Sequence, residues 1–104
     1  MPNDITREVT GTISDDGKIL EGNDFSVSHL YAGVYVVKFK HPFFYQAPDI
    51  TITVSGLTQG AKAKVIDKNL NSFKYFTIEE EPDSMHLQNF EVNFSAVGMD
   101  KPSF

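Results

Sequence analysis

The 104-residue sequence predicts a single all-β domain, an antiparallel β-sandwich of about six to eight strands. Its apolar residues alternate with polar ones in short runs, which is the period of a strand with one buried face. Gly, Pro, Asn and Asp separate these runs at intervals of about eight to twelve residues. No stretch keeps the period of an amphipathic helix. The clearest alternating runs are residues 35–39, 50–54, 61–65 and 90–96.

Turn residues divide the first half of the chain. Asp15-Asp16-Gly17 and Gly22-Asn23-Asp24 bracket a short strand, since Gly and Asn can adopt the positive φ that tight turns require. Gly33 lies between two strong strand patterns and predicts a hairpin. Pro48 begins the next strand, because proline is tolerated at a strand start but not in a central ladder.

The second half predicts three connections and an end to the domain. Residues 55–60 form a loop, residues 68–71 a tight connection, and residues 79–85 an acidic loop that contains proline. The alternation is lost near the C-terminus. We therefore expect one sandwich domain over residues 1–98 and a short tail over residues 99–104.

The composition excludes several classes of partner. Nine basic and fourteen acidic residues give a net charge of −5, which disfavours binding to nucleic acid. The chain has no cysteine, so disulfides, thiolate metal sites and cysteine nucleophiles are excluded. No apolar run reaches the length of a signal-peptide core or a membrane span, so we expect neither a signal peptide nor membrane insertion for this chain.

Candidate catalytic and metal-ligating residues lack the spacing that their chemistry requires. His29, His41 and His86 lie far apart, with no second type of ligand at metal spacing; we expect His29 to be packed or at an interface and His41 to form a bend. The sequence contains no Gly-x-Ser-x-Gly motif, although the fold could still assemble a catalytic triad. Asp15-Asp16-Gly17 offers too few oxygen ligands for a calcium loop. We expect a protein that is not an enzyme and holds neither metal nor cofactor.

A longer pattern spans most of the chain. It consists of Gly11-Thr12-Ile13, Gly22-x-x-Phe25-Ser26-Val27, Gly33-Val34-Tyr35-Val36-Val37-Lys38-Phe39, Phe43, Pro48-Asp49-Ile50-Thr51-Ile52-Thr53-Val54 and Phe90-x-Val92-x-Phe94-x-Ala96-x-Gly98. In this order the residues resemble a small β-sandwich module at the ends of bacteriophage tail fibres and related bacterial proteins. The later half is also similar to H-type lectin domains. The resemblance implies a homotrimer that displays a receptor- or sugar-binding surface.

Two aromatic segments supply candidate ligand contacts. Phe43, Phe44 and Tyr45 cannot all face one core in an extended segment, because successive side chains point to opposite sides, so at least one ring should be exposed or lie at a subunit interface. Residues 73–76 also carry aromatic rings at both odd and even positions, which point to opposite faces of a strand. This favours a sheet buried on both faces, as in an oligomer. We predict Tyr45 and Tyr75 as residues that stack on a ligand.

Three charged residues are the predicted polar contacts, namely Lys62, Lys64 and Asp67. The two lysines alternate with small apolar residues, so their ammonium groups share the outward face of one strand. Such lysines commonly protect an edge strand from pairing with another chain. A site for an anionic ligand is the alternative interpretation.

The sequence thus predicts a non-enzymatic binding module that recognises a cell-surface glycan or a protein receptor as a homotrimer. The expected location is a virion or another extracellular surface. The alternative is a purely structural domain that holds a trimer together and touches no receptor.

Overall fold

The computed structural model describes residues 5–55, 60–81 and 84–100, and all regular structure in these ranges is β-strand. Alternating β-branched and aromatic residues account for the strand preference. The strands are β1 (Ile5–Ile13), β2 (Ile19–Glu21), β3 (Phe25–Tyr31), β4 (Val34–Phe39), β5 (Asp49–Val54), β6 (Ala61–Lys68), β7 (Ser72–Glu81), β8 (Ser84–Leu87) and β9 (Val92–Asp100).

The strands form two sheets in which every pairing is antiparallel. One sheet has the order β2-β1-β9-β5. The other has the order β3-β4-β7-β6, and β8 pairs with the far end of β7. This architecture fits the predicted β-sandwich, and the hairpin predicted at Gly33 is the β3–β4 connection.

The core lies between the two sheets, where alternate residues of each strand point inward. Phe25 and Phe94, from opposite sheets, meet edge to face with ring centroids 5.0 Å apart. Gly11 makes room for this pair, since a Cβ at position 11 would lie 2.4 Å from the Phe25 ring. The buried hydrophobic cluster consists of Val9, Ile13, Phe25, Tyr35, Val37, Phe39, Phe43, Phe73, Tyr75, Val92, Phe94 and Ala96.

Two predicted boundaries are wrong because strands continue past them. β7 extends to Glu81 and β8 begins at Ser84, so most of the predicted acidic loop is a hairpin, and residues 82–83 lie outside the described residues. β9 continues through Met99 and Asp100 because these residues pair with Thr6 and Ile5 of the long β1. Residues 101–104 of the predicted tail, and residues 56–59 of the predicted 55–60 loop, also lie outside the described residues.

The described part of the molecule is elongated, with extents of 54 × 23 × 22 Å. β9 runs along the sandwich, and its two ends contact different loops. At its start, the amide of Ser55 donates to the carbonyl of Glu91; at its other end, the amide of Phe44 donates to the carbonyl of Met99. The segment that carries Tyr45 therefore lies at the end of the sandwich where β9 finishes.

Candidate binding site around Tyr45

The segment between β4 and β5 is anchored from inside the sandwich. Phe43 is buried and meets Phe39 edge to face, with ring centroids 5.0 Å apart. The Arg7 guanidinium lies 4.6 Å from the centre of the Phe43 ring and donates to the carbonyl of His41 at 2.8 Å. This cation–π contact and hydrogen bond hold β1 against the segment, and His41 lies at a bend, as the sequence predicted.

A tight turn follows directly. The amide of Gln46 donates to the carbonyl of Phe44 at 2.9 Å, and the intervening Tyr45 has a φ of 73°. A hydrogen bond across a single residue with positive φ is the rare, strained form of the γ-turn. A non-glycine residue in this conformation costs on the order of 1–3 kcal/mol and persists only where its surroundings hold it. Here the bond from Phe44 to Met99 supplies that support.

The turn directs the Tyr45 ring into solvent. Its side chain is 75 % exposed, while Phe43 is buried and Phe44 is half-buried. The expectation that at least one of the three consecutive rings is exposed is therefore confirmed. The Phe44 ring, with its centroid 4.1 Å from that of Tyr45, supports one side of the exposed ring.

A shallow depression of about 230 Å³ lies beside the turn. Its polar groups are the Thr6 hydroxyl, the Gln46 amide and the Asp49 carboxylate, and Val97 and Met99 add apolar surface. The register of β1, β9 and β5 brings these residues together, since Thr6 pairs with Met99 and Asp49 pairs with Val97. The site thus combines an exposed ring with hydrogen-bond donors and acceptors, an arrangement common in ligand sites.

The predicted polar contacts lie elsewhere. Lys62 and Lys64 are exposed on the outer face of β6, which is an edge strand as the alternation indicated. Lys62 forms an ion pair with Glu80 at 2.6 Å. A β-bulge precedes Asp67, whose backbone pairs with that of Lys74. These residues share a sheet face with one another, whereas the Tyr45 turn is bonded to β9 of the other sheet.

Tyr75 lies in the core, and its assignment as a ligand contact requires correction. Its side chain is 0 % exposed and stacks on Tyr35, with centroids 4.8 Å apart and an interplanar angle of 12°. Burial raises the pKa of both phenols, and in Tyr35 a hydrogen bond with Thr77 opposes the shift. Because the ring is covered on all sides, it cannot stack on a ligand in this structure.

His29 is exposed, although one face of its ring is covered. Its ring stacks on Tyr35, with centroids 4.5 Å apart, and its Nε2 lies 3.2 Å from Oδ1 of Asn89. Within residues 5–55, 60–81 and 84–100, no three His, Cys, Asp or Glu side chains are grouped as a metal site would require.

Sequence reasoning missed Thr6, Gln46 and Asp49 as lining residues. Gln46 and Asp49 follow Tyr45 closely in the chain but are unremarkable in type, whereas Thr6 is distant and reaches the depression only through the pairing of β1 with β9. The strand alternation could have shown that the side chains of Thr6 and Asp49 point outward, but it could not have shown that they lie next to each other.

No protein-family model, curated protein or solved structure matches the chain. None of the described residues belongs to a helix that is long and apolar enough to cross a membrane.

Proposed function

We propose that this protein is a non-enzymatic binding module that recognises a carbohydrate through Tyr45 and the adjacent depression. The observation that carries the proposal is the exposure of Tyr45, 75 % of whose side chain faces solvent on a strained γ-turn. Strain of this kind clusters at ligand sites, because folding stability alone would favour glycine at such a position.

The chemistry of the site favours a hydroxyl-rich ligand. A tyrosine ring offers an apolar face on which the C–H face of a sugar can stack, while its hydroxyl stays in water. The Thr6 hydroxyl, the Gln46 amide and the Asp49 carboxylate can hydrogen-bond to sugar hydroxyls. Because Asp49 contributes negative charge, we expect a neutral sugar rather than an anionic one.

The resemblance of the sequence to tail-fibre modules and H-type lectins supports the same proposal. In this proposal the domain is displayed as a homotrimer on a virion or another extracellular surface, and the sugar belongs to a cell-surface receptor. A domain that only holds a trimer together is the alternative. The exposed apolar side chains Leu30 and Leu87 favour that second role, since they offer surface for subunit contacts.

A glycan array followed by NMR titration of the best glycan tests the proposal with a matched set of variants. Tyr45→Gly removes the ring and also relieves the positive φ, so it should stabilise the fold by up to about 1 kcal/mol while weakening binding at least tenfold. Tyr31→Ala is the control, because Tyr31 is 59 % exposed on the other sheet. If no glycan on the array binds, or if Tyr45→Gly binds the glycan as tightly as the wild type, the carbohydrate proposal is wrong and the purely structural role is favoured.

A further inference from the structure

The outer face of the β2-β1-β9-β5 sheet is rich in hydroxyl groups, and we call it the hydroxyl face. Two rows of directly paired residues cross it, one of Thr51, Ser95 and Thr10 and one of Thr53, Asn93 and Thr12. Residues paired in this way point to the same side of the sheet. The charged side chains that the described strands place on this face are all acidic, namely Glu8, Glu21 and Asp49.

The outer face of the β3-β4-β7-β6 sheet has the opposite sign, and we call it the lysine face. The register places four lysines there, Lys38, Lys62, Lys64 and Lys74. Asp67 and Glu80 are the acidic side chains that the described strands add, and Glu80 is already paired with Lys62. This positive surface belongs to a chain with a net charge of −5.

Apolar side chains lie between these lysines. Val36, Phe76 and Ile78 are half-buried on the lysine face, and each is paired with or adjacent to a lysine across the sheet. Apolar and charged side chains therefore alternate across the face, from the central strands β4 and β7 to the edge strand β6.

We propose that the lysine face of one copy of this chain packs against the hydroxyl face of a second copy. Charge complementarity identifies the occupant. Two lysine faces, or two hydroxyl faces, would bring charges of the same sign together, whereas a lysine face against a hydroxyl face brings charges of opposite sign together. A long face of the molecule, 54 by 23 Å, exceeds the roughly 800 Å² that each partner contributes to a standard interface.

The contact is heterologous, since it joins two different surfaces. Because the two outer faces of a sandwich point in nearly opposite directions, copies related in this way add in an open row. Both sheets of every inner protomer in the row are then covered on their outer sides. The inference is independent of sugar binding, and Tyr45→Gly leaves both faces unchanged apart from the rim of the depression.

Light scattering coupled to size exclusion tests this contact with two charge-reversed variants. Lys38→Glu/Lys64→Glu alters only the lysine face, and Glu8→Lys/Glu21→Lys alters only the hydroxyl face. We expect the wild type to have a mass that is a multiple of 11.6 kDa and that increases with protein concentration. Each variant alone should be monomeric. A one-to-one mixture should assemble again, because the unaltered faces of the two variants are complementary and their reversed faces are also opposite in charge.

Raising the salt concentration from about 0.1 M to about 1 M, which shortens the Debye length from about 10 Å to about 3 Å, should also weaken the assembly. Circular dichroism melting of both variants verifies that they fold. If Lys38→Glu/Lys64→Glu does not fold, Lys38→Gln/Lys64→Gln is a milder change of the same face. A monomeric wild type, an assembly that survives both reversals, or a mixture of folded variants that stays monomeric would overturn the proposal.

Discussion

Tyr35 and Tyr75 are stacked neighbours that differ in one hydrogen bond. The Tyr35 hydroxyl donates to the carbonyl of Asp15 at 2.7 Å, whereas the Tyr75 hydroxyl is buried with no partner among the described residues. An unpaired buried hydroxyl has lost its hydrogen bonds to water without compensation. The two phenols therefore contribute differently to stability although their rings pack alike.

We expect Tyr75→Phe to be neutral or to stabilise the fold by up to about 1 kcal/mol, since it removes an unpaired polar atom and keeps the ring. Tyr35→Phe should cost about 1 kcal/mol, because it removes a made hydrogen bond. Urea unfolding of the two variants provides the comparison. A loss above about 1 kcal/mol in Tyr75→Phe would mean that a buried water satisfies this hydroxyl.

The assignments of Tyr45 and Tyr75 show what strand parity can predict. In residues 73–76 the polar Lys74 separates Phe73 from Tyr75, so the alternation could have placed Tyr75 on the face opposite the lysine, although it was predicted as a ligand contact. The segment with Tyr45 has no such polar marker. There the exposure of one ring followed from parity, but the identity of that ring depends on a γ-turn that no local pattern predicts.

Among the elements, the β3–β4 hairpin depends most directly on one residue. Gly33 has a φ of 75°, and a Cβ there would lie 2.7 Å from the carbonyl oxygen of Thr77. Its own amide donates to Asn89 Oδ1 at 2.6 Å, and its carbonyl accepts from the amide of Thr77 at 2.7 Å. The turn thus connects β3, β7 and the segment after β8.

We expect Gly33→Ala to cost on the order of 1–3 kcal/mol, because alanine is strained at this φ and its methyl group displaces β7. Ala32→Gly, in the same turn, is the control and should cost less than about 1 kcal/mol, through the unfolded state alone. Chemical denaturation of both variants and of the wild type measures the two losses in the free energy of unfolding. Equal stability of Gly33→Ala and the wild type would contradict this role for the glycine.

The strands that the sequence predicted well are those in which core residues alternate strictly, such as β4 and β5. The ends of β7 and β9 were missed because their pairing comes from a partner rather than from their own pattern. Glu79 and Glu80 pair with β8, and Asp100 pairs with Ile5 of β1. Hydrogen bonds between paired strands satisfy the backbone N–H and C=O groups whatever the side chains are. Hydrophobic alternation therefore underestimates the length of such strands.

At the scale of the whole molecule, the two proposed surfaces overlap at one end of the sandwich, where Asp49 belongs to both. Tyr45 lies on a loop at one end, where a rigid scaffold presents it. The hydroxyl and lysine faces extend along the sides of the sheets. Met99 and Thr6 belong both to the end of the hydroxyl face and to the depression beside Tyr45, so a neighbouring copy would border the proposed sugar site.

The stability of the whole domain should fall in alkaline solution because of its two buried phenols. Burial raises the pKa of Tyr75 and of Tyr35 above the ordinary value of 10.0. Above about pH 10 the unfolded chain has therefore released protons that the folded chain still binds, so the free energy of unfolding decreases as pH rises. Below that pH both states are protonated and this stabilisation is fully present.

The expected slope is at most about 1.4 kcal/mol per pH unit for each tyrosine that stays protonated in the fold. Urea unfolding of the wild type and of Tyr75→Phe, at a series of pH values on both sides of 10, measures it. The variant lacks one of the two buried phenols, so its stability should decline less steeply with pH. Identical slopes would show instead that Tyr75 ionises in the folded protein as readily as in the unfolded chain, and its ring would then be accessible to solvent.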